Sequence, residues 1–151
     1  MKAPPIILVI GYGNTLRSDD GAGPFVAEAV EALGLPGVRT IISQQLSPEH
    51  AEPISRADAV VFVDAAVDGT RDVQLRPLEP GESSQLMAHA ADPRTMLALS
   101  RDVFGHSPRA WWLAIPATKL EFGETLSAEA RRGCEEAVRQ IRKLCGQGRE
   151  N

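Results

Sequence analysis

Three carboxylates and one imidazole stand out in this sequence because of the segments that carry them. Asp19 and Asp20 end a glycine-rich loop, and Asp64 comes directly after an apolar run. His89 lies in a segment that contains serine, glycine and proline. Two carboxylates and one imidazole would form a three-ligand set with open positions, which suits a divalent metal such as nickel or zinc that must also bind something else.

The carboxylates also have purely structural explanations. Asp19 and Asp20 lie just before a predicted helix, where either side chain could accept hydrogen bonds from free backbone N–H groups. Only one of them is needed as a cap, which leaves the other available for a ligand. Asp64 could tie down the turn after its strand, although a carboxylate at the end of an apolar strand is costly unless it is paired, hydrogen-bonded or metal-bound.

The histidines have structural explanations as well. A single histidine is more often a surface or hydrogen-bonded residue than a metal ligand, and this applies equally to His50, His89 and His106. His89 is favoured over the other two because residues 80–91 read as a long loop, and long loops in compact domains tend to be functional.

Several familiar sites are disfavoured. The loop Gly11–Gly23 has Leu16 where a dinucleotide-binding fingerprint needs its third glycine, and its terminal carboxylates would repel phosphate. Neither a Gly-x-Ser-x-Gly nucleophile elbow nor a His-Glu-x-x-His motif is present. Cys134 and Cys145 share one predicted helix, about 16 Å apart along its axis, so we expect two reduced, semi-buried thiols rather than a disulfide.

Strands and helices alternate along the chain. Apolar or alternating runs predict strands, and capping residues, proline and helical spacing predict helices that begin at Pro24, Pro48 and Pro93 and after Ser127. The last helix is expected to end at Gly146 and to leave a frayed tail. The predicted strands are residues 6–10, 38–42, 59–63, 72–78 and 111–115, with 72–78 as an edge strand that could run antiparallel.

This alternation predicts one α/β domain over residues 1–151, a doubly wound, mostly parallel twisted sheet of about five strands with helices on both faces. In such sheets, sites form beyond the carboxyl ends of the strands near the topological switch point. The two segments to search are therefore residues 11–23, after the first strand, and residues 64–69, after the third.

Composition limits the kinds of partner. The 151 residues carry a formal net charge of -4 with scattered basic residues, which argues against nucleic acid. No run of 18 apolar residues occurs, and the start of the chain lacks the layout of a signal peptide, so we expect a cytoplasmic protein.

The glycine- and aspartate-rich loop resembles a known family. The pattern Gly11-x-Gly13-Asn14-x-Leu16-x-x-Asp19-Asp20-Gly21-x-Gly23 is similar to that of the [NiFe]-hydrogenase maturation proteases. The strand end at Asp64, the loop with His89 and the final helix after Leu126-Ser127 match in order and approximate spacing.

This resemblance implies an endopeptidase that removes the C-terminal extension of a nickel-loaded large-subunit precursor. It implies that Asp20, Asp64 and His89 contact nickel supplied by the precursor, with no nucleotide cofactor. Residues 44–49 differ from the Gly-Gly-Thr turn of many relatives and resemble the subgroup that serves bidirectional, NAD-linked hydrogenases. We expect a monomer. Two alternatives stay open: a metal-dependent hydrolase of a small amide, and an assembly partner that cuts nothing.

Overall fold

The computed structural model describes residues 4–85 and 92–150 and contains a five-stranded sheet. The strands follow the spatial order β2-β1-β3-β5-β4, and all neighbouring pairs are parallel except β4 and β5. Their bounds are β1 Ile7–Tyr12, β2 Val38–Ser43, β3 Ala59–Ala66, β4 Gln74–Leu78 and β5 Arg109–Pro116. The predicted antiparallel edge strand is confirmed, although it begins at Gln74 rather than Asp72.

Helices cover both faces of this sheet, as predicted for a doubly wound fold. Two pack on one face, α1 Ala22–Leu33 and α4 Ala128–Glu150. The other two, α2 Ala51–Ser55 and α3 Pro93–Phe104, lie on the opposite face. Short 3-10 turns occur at Ser18–Gly21, Pro48–His50 and Ser83–Gln85. No helix in the described part of the chain is long and apolar enough to span a membrane.

The central strands β1 and β3 are buried because their residues alternate between two apolar layers. Val9 and Val61 face α1 and α4, whereas Ile10 and Phe62 face α2 and α3. All four side chains are at most 1% exposed. Burial on both faces explains why these strands read as continuous apolar runs rather than alternating ones.

The helix boundaries confirm some sequence signals and correct others. Asp92 caps α3 by accepting a hydrogen bond from the Arg94 N–H, as predicted. The start of α1 at Pro24 was wrong: α1 begins at Ala22, because the 3-10 turn before it runs directly into the helix. Proline is tolerated two residues inside a helix, since the first four N–H groups have no partner within the helix.

The predicted end of the last helix at Gly146 was also wrong. The helix α4 continues through Gly146 to Glu150. The tail that was expected to be frayed is therefore helical as far as Glu150. A glycine inside a helix costs only about 1 kcal/mol and does not by itself stop it. The two cysteines of α4, Cys134 and Cys145, are buried and form no disulfide, as expected.

The topological switch point lies between β1 and β3. From β1 the chain moves to β2 on one side, and β3 then adds on the other side of β1. The connections therefore diverge at this point and leave a crevice beyond the carboxyl ends of the two strands. Gly11 is in register with Val63, which places the next residue of each strand, Tyr12 and Asp64, side by side at this crevice.

Candidate functional site

Asp64 is the residue of β3 that meets the crevice. The strand continues to Ala66, so Asp64 lies two residues before its end rather than at it. Its side chain shares a face of the sheet with Phe62 because strand side chains alternate. The Tyr12 hydroxyl donates a hydrogen bond to Asp64 Oδ2 at 3.3 Å. This bond fixes the direction of the carboxylate without enclosing it, since Asp64 is only partly buried.

The surroundings of Asp64 disfavour its negative charge. The pKa of Asp64 is raised from 3.8 to about 6: burial and the nearby charge of Asp20 raise it, and hydrogen bonds from Tyr12, the Ala65 backbone and Trp112 offset part of that rise. Burial also raises the pKa of Tyr12 well above its usual range, so Tyr12 remains a hydrogen-bond donor at any physiological pH. Asp64 is thus a carboxylate that a cation would stabilise.

Asp20 is brought to the same crevice by the loop after β1. Its Oδ2 accepts a hydrogen bond from the Asn14 N–H at 2.8 Å, so the side chain turns back toward the end of β1. Its charge acts on Asp64, as the raised pKa of that residue indicates. Two of the three predicted ligands therefore lie close enough to interact electrostatically.

Gly13 is the residue that allows Asp20 this position. Its φ is 149°, and a Cβ there would lie 2.0 Å from the Asp20 carbonyl oxygen. No side chain fits such a contact, so glycine at this position allows the loop to close against Asp20. A Gly13→Ala variant is expected to lose on the order of 2 kcal/mol of unfolding free energy and to displace Asp20.

Chemical denaturation checks this prediction, with Gly69→Ala as the matched control. Gly69 also has a positive φ, 85°, but a Cβ there would have no atom within 4 Å. The control therefore carries the conformational cost without the collision. Equal losses for the two variants would show that close packing against Asp20 is not the reason for Gly13.

Asp19 is turned away from the crevice and is fully buried, with 0% exposure. Its carboxylate accepts hydrogen bonds from the N–H groups of Thr118 and Lys119, both at 2.9 Å, and of Ser127 at 2.7 Å. The Ser127 hydroxyl adds a fourth at 2.8 Å. Burial alone would raise the pKa of Asp19, but these donors outweigh it and hold the pKa below its ordinary value.

Neither adjacent aspartate caps α1, contrary to the capping interpretation of the sequence. The residue before α1 is Gly21, and no side chain accepts a hydrogen bond there. Asp19 instead secures the start of α4, where Ser127 also accepts a hydrogen bond from the Ala130 N–H as the predicted cap. The two aspartates thus divide their roles, Asp19 holding two distant segments together and Asp20 facing the crevice.

The third predicted ligand, His89, lies outside the described residues. The other two histidines make bonds that belong to the fold: the His50 Nδ1 accepts from the nearby Ser47 N–H at 3.1 Å, and the His106 Nε2 lies 3.2 Å from the carbonyl oxygen of Ala57, 49 positions earlier in the chain. Within the described ranges, no three His, Cys, Asp or Glu side chains are grouped closely enough to hold a metal ion. The metal set of Asp20, Asp64 and His89 therefore remains a prediction.

Sequence reasoning missed Tyr12 and Trp112 as neighbours of the site. A signal for Tyr12 was present, because it lies two residues after Ile10 and must share that residue's face if the strand continues. The prediction ended the strand at Ile10, and this hid the relation. Trp112 lies beside Phe62 in the neighbouring strand, a register that only the three-dimensional pairing of β3 and β5 reveals.

The geometry suits cation binding better than proton transfer to a buried substrate. Asp20 and Asp64 present oxygen ligands of like charge at the crevice, and hydrogen bonds from Asn14 and Tyr12 help to orient the two carboxylates. Two such carboxylates attract a divalent cation that accepts oxygen and nitrogen ligands. An imidazole would complete a three-ligand set.

Solved structures with the same architecture include proteins of the family that the loop resembles. A [NiFe] hydrogenase maturation protease HycI from Thermococcus kodakarensis superposes with a TM-score of 0.71 at 21% identity, over 95% of this chain and 94% of that one. HybD from the same organism gives 0.68 at 22%, over 93% and 99%. The endopeptidase HybD from E. coli gives 0.65 at 22%, over 90% and 89%.

The fold is that of the hydrogenase maturation proteases. The predicted α/β class is thereby confirmed, and the near-complete coverage shows that the maturation-protease fold accounts for nearly the whole chain. The sequence itself matches no family model and no curated protein at a significant level.

Proposed function

We propose that this protein is an endopeptidase that removes the C-terminal extension of a nickel-loaded [NiFe]-hydrogenase large-subunit precursor. The observation that carries the proposal is that Asp20 lies within electrostatic range of Asp64 at the switch point of a maturation-protease fold. The loop that delivers Asp20 is the same loop on which the sequence resemblance depends. We further propose that the protein acts as a cytoplasmic monomer and that its substrate belongs to a bidirectional, NAD-linked hydrogenase.

In this proposal the nickel belongs to the substrate. Asp20 and Asp64 contact it with carboxylate oxygens and His89 with an imidazole nitrogen, so that only a precursor with nickel in place is held with its scissile bond at the crevice. The raised pKa of Asp64 supports this role, because a carboxylate whose charge is disfavoured in the free protein gains most from a cation.

The test is to incubate the purified protein with nickel-loaded and nickel-free precursor and to measure the mass of the large subunit. We expect the extension to be lost from the nickel-loaded precursor only. An extension that survives in both samples while the proteins still bind each other would favour the non-catalytic assembly partner. Stoichiometric metal in the purified protein without any precursor would favour the small-amide hydrolase instead.

A further inference from the structure

A shallow groove with apolar walls runs beside the loop that carries Asp20. It has a volume of about 330 Å³ and lies between α1, the end of β2 and the segment before α4. Phe25 and Ile42, which line it, are 40% and 44% exposed. Its main lining side chains are those of Thr15, Phe25, Glu28, Ile42, Glu124 and Leu126. We call this surface the α1 groove.

The apolar surface continues beyond the groove along the loop that carries Asp20. Leu16 and Phe122 are 45% and 85% exposed, and each is next in sequence, or next but one, to a groove residue. The Gly123 N–H donates to the Leu16 carbonyl oxygen at 2.8 Å, so these two segments are joined side by side. Large apolar side chains clustered at an exposed surface are typical of an interaction site.

The charge of the α1 groove indicates what would occupy it. Among the described residues that line it, Glu28 and Glu124 are acidic and none is basic. Both are exposed, so their carboxylates can pair with a cation on a ligand without a large desolvation cost. Apolar walls with two carboxylates fit an apolar peptide that carries a lysine or arginine.

We propose that the α1 groove binds an apolar, lysine- or arginine-containing segment of the precursor's own C-terminal extension, an inference that rests on the proposed function. Leu16 is four residues before Asp20 in the same loop, and Ile42 is in register next to Gly11. The groove therefore adjoins the loop that carries Asp20, on the face of the sheet that α1 covers. The groove selects the extension, and the crevice tests for nickel.

The experiment compares the double variant Ile42→Ser/Phe122→Ser with Val103→Ser/Phe104→Ser. The control pair is similarly exposed, at 62% and 47%, but ends α3 at the opposite edge of the sheet. Removing two large apolar contacts is expected to raise the KM for nickel-loaded precursor roughly tenfold to hundredfold with little change in kcat. The control variant should keep the KM of the unmodified protein.

A second comparison tests whether the negative charge of the α1 groove contributes to binding. Glu28→Lys should raise the KM, whereas Glu31→Lys, one turn further along the exposed side of α1, should not. A precursor whose extension has its lysine and arginine residues changed to glutamate should reverse this preference. Circular dichroism of every variant confirms that the fold is intact.

The outcomes distinguish a failure of the proposed function from a failure of the inference about the α1 groove. If the unmodified protein fails to cut nickel-loaded precursor, the proposed function fails and this inference fails with it. If the unmodified protein cuts normally and the groove variants do so with unchanged KM, only the inference is overturned. A dimer in solution that Phe122→Ser disrupts would assign the groove to a second copy of this chain and would also overturn it.

Discussion

Asp64→Asn is expected to abolish removal of the precursor's extension while making the protein itself more stable at neutral and alkaline pH. The substitution replaces one of the two carboxylates described at the crevice by a neutral amide, which binds a divalent cation far more weakly, so we expect the cleavage rate to fall roughly a hundredfold or more. The mass of the large subunit after incubation measures this effect. His89→Ala should have a comparable effect, because it removes the predicted nitrogen ligand.

The gain in stability follows from the raised pKa of Asp64. A folded-state pKa of about 6, against an ordinary value of 3.8, means that the ionised carboxylate opposes folding. Its penalty is absent below about pH 4 and is complete once the pH has risen well above 6. In a fully buried site, this difference between the two pKa values would correspond to a loss of roughly 3 kcal/mol of unfolding free energy. Partial exposure reduces the loss to roughly 1–2 kcal/mol.

Denaturation at two pH values tests whether the ionised Asp64 carboxylate lowers or raises the unfolding free energy. The variant should exceed the unmodified protein in unfolding free energy at pH 8 and match it at pH 4. A variant that is less stable at pH 8 would show that Asp64 supports the fold rather than opposing it. A variant that still cuts at the normal rate would remove Asp64 from the proposed site.

Asp19→Ala is expected to cause the largest loss of stability among the variants considered. The four short hydrogen bonds from Thr118, Lys119 and Ser127 converge on a carboxylate with no solvent exposure. Removing it leaves buried N–H donors without an acceptor, so we expect a loss of roughly 3–5 kcal/mol. Chemical denaturation at pH 7 measures the loss.

The pH dependence of this variant should differ from that of Asp64→Asn. Because the folded-state pKa of Asp19 is lowered, its contribution is complete at neutral pH and is lost as the pH falls through the folded-state value. The gap between Asp19→Ala and the unmodified protein should therefore narrow in acid. A gap below about 1 kcal/mol at pH 7 would contradict the role assigned to Asp19.

The sheet and its carboxyl edge, where the candidate site lies, were predicted from the sequence because both depend on local patterns. Continuous apolar runs mark β1 and β3, and the residues that follow such runs in a doubly wound sheet must lie near its carboxyl edge. That reasoning led to Asp64 and to the loop with Asp19 and Asp20, and the family resemblance then singled out Asp20. The structure brings Asp20 and Asp64 within electrostatic range of each other.

The division of labour between Asp19 and Asp20 could not be predicted in this way. Both residues have the same chemistry and the same neighbours in sequence, and what separates them is contact with residues about a hundred positions away. The hydrogen bonds of Asp19 to Thr118 and Ser127 span 99 and 108 positions. No local pattern encodes a pairing of that length. The end of α4 was missed for a related reason, since local propensity at Gly146 did not decide where the helix stops.

The long reach of Asp19 has a consequence for the order in which the protein matures. Asp19 is synthesised 108 residues before Ser127, with which the last helix begins its contact to this loop. Closing so large a loop is entropically costly and slow, and the acceptor at residue 19 has none of its donors until residues 118–127 have been synthesised. A nascent chain that has not reached Ser127 therefore lacks the hydrogen bonds that tie the loop of Asp20 to the last helix.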